Sequence, residues 1–121
     1  MRDYKKLLVW QKSVELVSKI YKITKSFPKD ELYGLVSQIR RATVSIPANI
    51  SEGHARSHTN EFIQFLYIAL GSSSELETLL ILSQDLDYIS KMKLDSLMLE
   101  VTEIRKMLNG LITSLKNKRR K

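Results

Sequence analysis

Apolar side chains recur along most of the chain at the three- and four-residue spacing of an amphipathic helix, and no segment shows the alternation of a strand. The first helix is predicted at about residues 9–27, because Pro28 disfavours helical backbone in the residue before it. Its apolar face is made of two stripes, which are Trp10, Val14, Val17 and Tyr21, and Leu16, Ile20, Ile23 and Phe27.

A second helix is predicted at about residues 30–53, where apolar residues recur close to every 3.6 positions. The apolar positions are Leu35, Ile39, Ala42, Ile46 and Ile50. Pro47 lies inside this pattern and is expected to bend the helix, because its ring removes one backbone hydrogen bond. Gly53 is expected to end the helix.

The third helix is predicted at about residues 60–86, with Thr59 as its N-cap. Its first half is apolar around nearly the whole circumference, which indicates burial on all sides. A lone four-helix monomer leaves one flank of each helix exposed, so we expect a second subunit to cover this one. The expected oligomer interface consists of Phe62, Ile63, Phe65, Tyr67 and Leu70. Gly71 and the serines after it would allow close approach of a neighbouring helix.

A fourth helix is predicted at about residues 91–115, with Ser90 as its N-cap. Its apolar residues repeat in near-heptad register and are Leu94, Leu97, Met98, Val101, Ile104, Leu108, Leu111 and Leu115. Short turns between long helices make sequential neighbours antiparallel, which predicts an all-α, up-down-up-down four-helix bundle over residues 1–115. Residues 116–121 contain five cations and are predicted to be a disordered basic arm.

Charge is unevenly distributed along the 121 residues, which carry 20 Lys and Arg against 13 Asp and Glu, a net charge of +7. Residues 61–90 contain five acids and no Lys or Arg, so the positive charge lies on either side of them. The chain has no cysteine, which excludes disulfides and thiolate metal sites. The first apolar run is too short for a secretory signal, and no stretch matches a membrane helix, so we expect a cytoplasmic protein without a membrane partner.

Few residues could support catalysis. His54 and His58 are four apart, as two metal ligands on one helix face would be, but they fall in a predicted turn. Glu75 and Glu77 are two apart and so point away from each other on a helix. We therefore expect no enzyme, no metal site and no cofactor.

Basic residues are better candidates for a functional site, and the arginines and the lysines each allow two interpretations. Arg40 and Arg41 could form internal or intersubunit ion pairs, with Glu75 the expected partner of Arg41, or they could bind phosphate. The lysines of the first helix could form a solvated face or, with the C-terminal arm, neutralise phosphates. No aromatic platform accompanies these cations in the sequence, so binding by shape and charge is expected. The candidate nucleic-acid-binding residues are Lys5, Lys6, Lys12, Lys19, Lys22, Arg40, Arg41, Lys116, Lys118, Arg119, Arg120 and Lys121.

Several short motifs resemble one known family. They are Val9-Trp10-Gln11-Lys12, Phe27-Pro28-Lys29, Tyr33-Gly34-Leu35, Gln38-Ile39-Arg40-Arg41-Ala42, Ser45-Ile46-Pro47-Ala48-Asn49-Ile50 with Glu52-Gly53, and Glu75-Leu76-Glu77-Thr78. In order and spacing they resemble the four-helix proteins encoded in intervening sequences of bacterial 23S rRNA genes, a family often labelled ribosomal. That family is similar to the accessory variability determinant of diversity-generating retroelements. Ser51 stands where the family commonly has alanine.

The resemblance implies a homopentameric barrel of four-helix protomers that associates with nucleic acid through basic surfaces. It implies neither catalysis nor membership of the ribosome. The leading hypothesis is a non-enzymatic oligomeric scaffold that binds RNA or a nucleic-acid-handling protein. The alternative is a protein-partner module, such as a reverse-transcriptase accessory factor, or a structural protein with no nucleic-acid role.

Overall fold

The computed structural model describes the backbone of residues 3–119 and the side chains of residues 3–118. Within this part of the chain there are four α-helices and no β-strand, which confirms the predicted all-α class. The helices are α1 (Leu8–Thr24), α2 (Leu35–His54), α3 (Thr59–Asp85) and α4 (Lys91–Arg119). Two single turns of 3-10 helix lie at Tyr4–Lys6 and Lys29–Glu31.

Contacts between neighbouring helices run in opposite directions along the chain, so the helices are antiparallel. Between α3 and α4, Glu77 pairs with Arg105 at 2.7 Å, whereas the earlier Tyr67 bonds the later Lys116 at 2.7 Å. The helix pairs α1–α2 and α2–α3 are antiparallel as well. Helix α1 also lies beside α4, which closes the bundle. One consequence is that both chain termini and the α2–α3 turn lie at the same end.

The core is formed by the helix faces that the apolar spacing predicts. Leu16, Ile39, Leu66 and Leu108 are fully buried, one from each helix. The two stripes of α1 differ, however, because Leu16 and Ile20 of one stripe are buried, while Val14 and Tyr21 of the other are 37% and 39% exposed. The core therefore needs only one of the two predicted stripes of α1.

The start of α2 differs from the prediction. Residues 29–31 form a separate 3-10 turn, and α2 begins only at Leu35, because the backbone of Gly34 is not helical. The Glu31 carboxylate accepts a hydrogen bond from the Tyr88 hydroxyl at 2.8 Å and, at 3.4 Å, from the Leu35 amide. Glu31 thus ties the α1–α2 connection to the α3–α4 turn. At the start of α4, Ser90 accepts from the Lys93 amide at 3.0 Å, which confirms the predicted N-cap.

The end of α4 also differs, because the helix continues to Arg119 instead of ending at 115. Lys116 is half-buried, and its ammonium donates to the Tyr67 hydroxyl, so the last described turn packs against α3. The prediction of a disordered arm is wrong for residues 116–119. Arg120 and Lys121, and the side chain of Arg119, lie outside the described residues.

Glycine has different roles from those predicted. Gly53 lies inside α2, one residue before its end, and a β-carbon added there would lie 2.6 Å from the β-carbon of Phe65. Close approach of α2 and α3, not helix termination, therefore requires this glycine. Gly71 has open space around it, whereas Ser72, one of the serines expected to allow close approach, does make it, with its hydroxyl 2.7 Å from that of Ser45.

The Tyr88–Glu31 hydrogen bond should make the fold sensitive to alkaline pH. Donating to Glu31, together with burial, raises the pKa of Tyr88 above its ordinary value of 10.0. The stability from this bond is therefore fully present below pH 10 and is lost as the pH rises through the raised folded pKa. We expect urea unfolding to show a smaller loss of stability between about pH 9 and pH 11 in Tyr88→Phe than in the unsubstituted protein. Equal losses would contradict the assignment.

Candidate nucleic-acid interface

Cations from three distant parts of the chain meet at the end of the bundle that holds both termini. The ring centroid of Tyr4 lies 6.4 Å from that of His54, which places the N-terminal turn beside the end of α2. The His54 centroid lies 5.6 Å from that of Phe62, at the start of α3. We call this region the basic end and define it by Lys5, Lys6, Arg56, His58, Lys116 and Lys118.

The acids at the basic end do not balance its cations. Glu52 forms an ion pair with Arg56 at 2.9 Å, and Asp3 accepts the Lys5 amide at 3.0 Å as the cap of the first turn. Lys6 and Lys118 are exposed and make no ion pair within the described side chains. Glu61, in the first turn of α3, is a third acid at this end, against five Lys and Arg among the described side chains. The candidate residues Arg119, Arg120 and Lys121 follow Lys118 in sequence, and their side chains lie outside the described part of the chain. The basic end therefore carries an excess of positive charge.

Aromatic rings lie among these cations, contrary to the expectation that no aromatic platform accompanies them. Tyr4 packs edge-to-face on Trp10 with centroids 5.3 Å apart. The guanidinium of Arg56 lies 5.0 Å from the ring centroid of Phe65. The aromatic residues are spread over the sequence from 4 to 67, so only the antiparallel packing brings them to one end.

Two lysines that were predicted to bind nucleic acid form ion pairs between α1 and α4. Lys12 pairs with Glu103 at 2.7 Å and Lys19 with Glu100 at 2.8 Å, which bridges α1 and α4. The hydrogen bond to Glu103 raises the pKa of Lys12 above 10.5. Acids of α4 thus partner these two exposed lysines in the protomer, and their nucleic-acid role stays a prediction. The third, Lys22, lines a cavity of about 300 Å³ between α1 and α4, far along the helix from the basic end.

The two neighbouring arginines have separate roles. Arg40 donates from Nε to the Thr24 hydroxyl at 3.0 Å, and its guanidinium lies 4.5 Å from the ring centroid of Tyr21. These contacts join α1 to α2 and hold the guanidinium against α1. Arg41 and Glu75 line the same groove between α2 and α3, a cavity of about 340 Å³. Their predicted ion pair is not formed, since no contact within 4.0 Å joins them in the described part of the chain.

The acidic third helix has an ion-pair partner that the sequence did not reveal. Arg105 of α4 pairs with Glu77 at 2.7 Å, and the Glu77 side chain is only 17% exposed. The other acids of this segment, among them Glu61 and Glu75, remain exposed. Helix α4 and solvent thus neutralise the negative charge of α3. The acids of α3 form no ion pair with the cations of the basic end among the described side chains.

Most of the expected oligomer-interface residues lie within the protomer. Ile63 is 5% exposed and belongs to the core, and Phe62 and Leu70 pack against it. Phe65 is half-buried beneath Arg56, so Tyr67, at 47% exposure, is the most accessible of the five. The interface prediction is therefore wrong for Ile63. The large apolar side chains that α3 does expose are Tyr67, Ile68, Ile81 and Leu82, and Leu86 is exposed just after its end.

The histidines contribute differently from metal ligands. His54 contacts two rings, and His58 is exposed in extended backbone before α3. Among the described side chains, no group of three or more His, Asp and Glu could hold a metal ion.

By length and composition α3 is long and apolar enough to cross a membrane, but the core helix of a soluble protein passes the same test.

The fold and the site define a small antiparallel four-helix bundle with an excess of cations, beside aromatic rings, at one end. The model of the family described as 23S rRNA-intervening sequence protein matches residues 5–110, so the chain belongs to that family. This confirms the resemblance seen in the sequence motifs. No curated protein matches the sequence.

A solved structure supports the same assignment. A crystal structure of a protein of unknown function from the S23 ribosomal protein family of Bacteroides thetaiotaomicron superposes with a TM-score of 0.81 and 32% sequence identity. The match covers 88% of this chain and 96% of that chain. The chain therefore spans nearly the whole of this relative.

Proposed function

We propose that this protein is a non-enzymatic, oligomeric scaffold that binds RNA through the basic end. The observation that carries the proposal is the excess of cations over acids at the basic end. Lys6 and Lys118 make no ion pair among the described side chains, and fewer acids than cations lie at this end. At the opposite end Lys22, Lys25 and Lys93 are also exposed without an ion pair among the described side chains, but as many acids accompany the cations there. Unpaired cations gathered on one surface are the usual electrostatic footprint of a nucleic-acid-binding protein.

The family supports RNA as the polyanion, because its name refers to intervening sequences of 23S rRNA. A cytoplasmic protein would meet such RNA, and the proposal requires no metal, cofactor or catalytic step. The name alone does not give the family an RNA ligand, so binding has to be measured directly.

Salt dependence tests the proposal. Fluorescence anisotropy with a labelled single-stranded RNA should show an affinity that falls steeply with salt, because each neutralised phosphate releases counterions. If the basic end contacts about four phosphates, the slope of log affinity against log salt should be roughly −3. A flat dependence, or no binding at low salt, would refute RNA binding.

For the oligomer, we propose that a second copy covers the apolar side chains exposed on the last turns of α3 and just after it, away from Tyr67. Ile81, Leu82 and Leu86 are 44%, 44% and 52% exposed, which is much apolar surface for a segment beside the core. The family resemblance implies five subunits. Light scattering after gel filtration should return more than one chain, and Leu82→Glu should reduce the mass while Leu99→Glu, on exposed α4 surface, should not. A monomeric unsubstituted protein would exclude assembly.

The exposed apolar surface also favours the alternative, a module that docks on another protein such as a reverse transcriptase. The two readings give different results in the same experiments. A protein that assembles but binds no RNA at low salt would favour the protein-partner role. A gene neighbourhood containing a reverse transcriptase would favour it as well, whereas an interrupted rRNA gene would favour RNA.

A further inference from the structure

The geometry around Tyr67 bears on the kind of RNA that the basic end accepts. The Tyr67 side chain is 47% exposed. The Lys116 ammonium lies 2.7 Å from the Tyr67 hydroxyl but 5.3 Å from the ring centroid, so it stands at the hydroxyl edge and leaves the face of the ring uncovered. An open aromatic face and a fixed cation thus lie side by side.

Resting on the proposed RNA-binding function, we propose that the basic end binds single-stranded RNA, with one base stacked on Tyr67 and a neighbouring phosphate on Lys116. Aromatic faces are the common platforms for unpaired bases, because every base has a π-face to offer. In a duplex the bases are already stacked on each other, and side chains cannot reach them in the deep, narrow major groove. An exposed ring beside an ammonium therefore suits an unpaired nucleotide and gives a duplex no comparable contact.

A second platform lies on the other side of α3. The guanidinium of Arg56 packs on the ring of Phe65 at 5.0 Å, and its ion pair with Glu52 fixes its orientation. Its side chain is still 43% exposed, so the outer face of the guanidinium can take a base. Phe65 and Tyr67 lie on either side of the outward-facing Gln64 and Ile68. The RNA strand would cross α3 over Gln64 and Ile68, from one ring to the other.

The test compares a single-stranded RNA with a duplex of the same length and label at one salt concentration. We expect the full-length protein to bind the single strand about tenfold more tightly, because a stacked base adds affinity that the duplex does not gain. Tyr67→Leu should lose most of this preference by weakening single-strand binding about tenfold, while duplex binding stays unchanged. Tyr67→Phe keeps the ring and should keep the preference.

Two further variants and one fold measurement separate the possible causes. Lys118→Gln should weaken binding to both RNAs by the same factor, because it removes charge and no ring. Circular dichroism and light scattering of Tyr67→Leu should match the unsubstituted protein, so that a loss of folding or assembly is recognised. RNA containing 2-aminopurine should change its fluorescence less on binding the Tyr67→Leu variant than on binding the Tyr67→Phe variant, because only the Arg56 platform remains in Tyr67→Leu.

The outcomes distinguish this inference from the function on which it rests. Equal affinity for single strand and duplex, or a preference that survives in Tyr67→Leu, would overturn the stacking site and leave RNA binding intact. No salt-dependent binding of either RNA would overturn both. Dissociation of the oligomer in Tyr67→Leu would instead assign Tyr67 to the subunit interface and overturn the stacking site.

Discussion

Replacing Gly53 with alanine is expected to lower the free energy of unfolding by about 2 kcal/mol. The added β-carbon would lie 2.6 Å from the β-carbon of Phe65 and 3.3 Å from the carbonyl oxygen of Phe62. Neither atom is the flexible end of a side chain, so α2 and α3 would have to move apart. Alanine favours a helix over glycine by up to about 1 kcal/mol, which offsets only part of this cost.

Gly71 and Gly110 provide matched controls for the Gly53 prediction. Both lie inside helices, and a β-carbon at either would meet no atom within 4 Å. Gly71→Ala and Gly110→Ala should therefore stabilise the protein by roughly 0.5–1 kcal/mol. Urea unfolding measured for the three variants should give opposite signs. If Gly53→Ala were as stable as Gly71→Ala, the close approach of α2 and α3 at Gly53 would be wrong.

The triple variant Lys5→Gln, Lys6→Gln, Lys118→Gln is expected to bind single-stranded RNA on the order of a hundredfold more weakly at 0.1 M salt. The three lysines are exposed, and no acid pairs with their ammonium groups among the described side chains, so each is free to contact a phosphate. Losing three contacts should also reduce the slope of log affinity against log salt by about two.

A second triple variant separates local charge from net charge. Lys22→Gln, Lys25→Gln, Lys93→Gln removes the same charge from exposed positions at the opposite end of the bundle. Because these side chains lie more than a Debye length from the basic end, about 10 Å at 0.1 M salt, we expect a change below about threefold and a nearly unchanged slope. Equal losses in the two variants would mean that net charge, and not the basic end, attracts the RNA.

The sequence alone identified only some residues of the candidate site. The terminal lysines Lys5, Lys6, Lys116 and Lys118 were identified from the charge excess alone, and they meet at one end because an odd number of antiparallel turns returns the chain to its start. Arg56 was missed, because a single arginine in a turn carries no signal until that turn is known to lie beside both termini. The acidic partners of Lys12 and Lys19 were also missed, since they are about 80 to 90 residues away in sequence.

The sequence by itself determined the helices, their buried faces and the family, because helical periodicity, the Ser90 cap and the spaced motifs are local properties of the chain. It did not determine where α4 ends, why Gly53 is glycine, or which acid neutralises which base. Those features depend on the register and distance between helices, which side chains far apart in sequence set together when they pack. The tertiary structure alone therefore decided which cations remain free for a partner and that aromatic rings lie beside them.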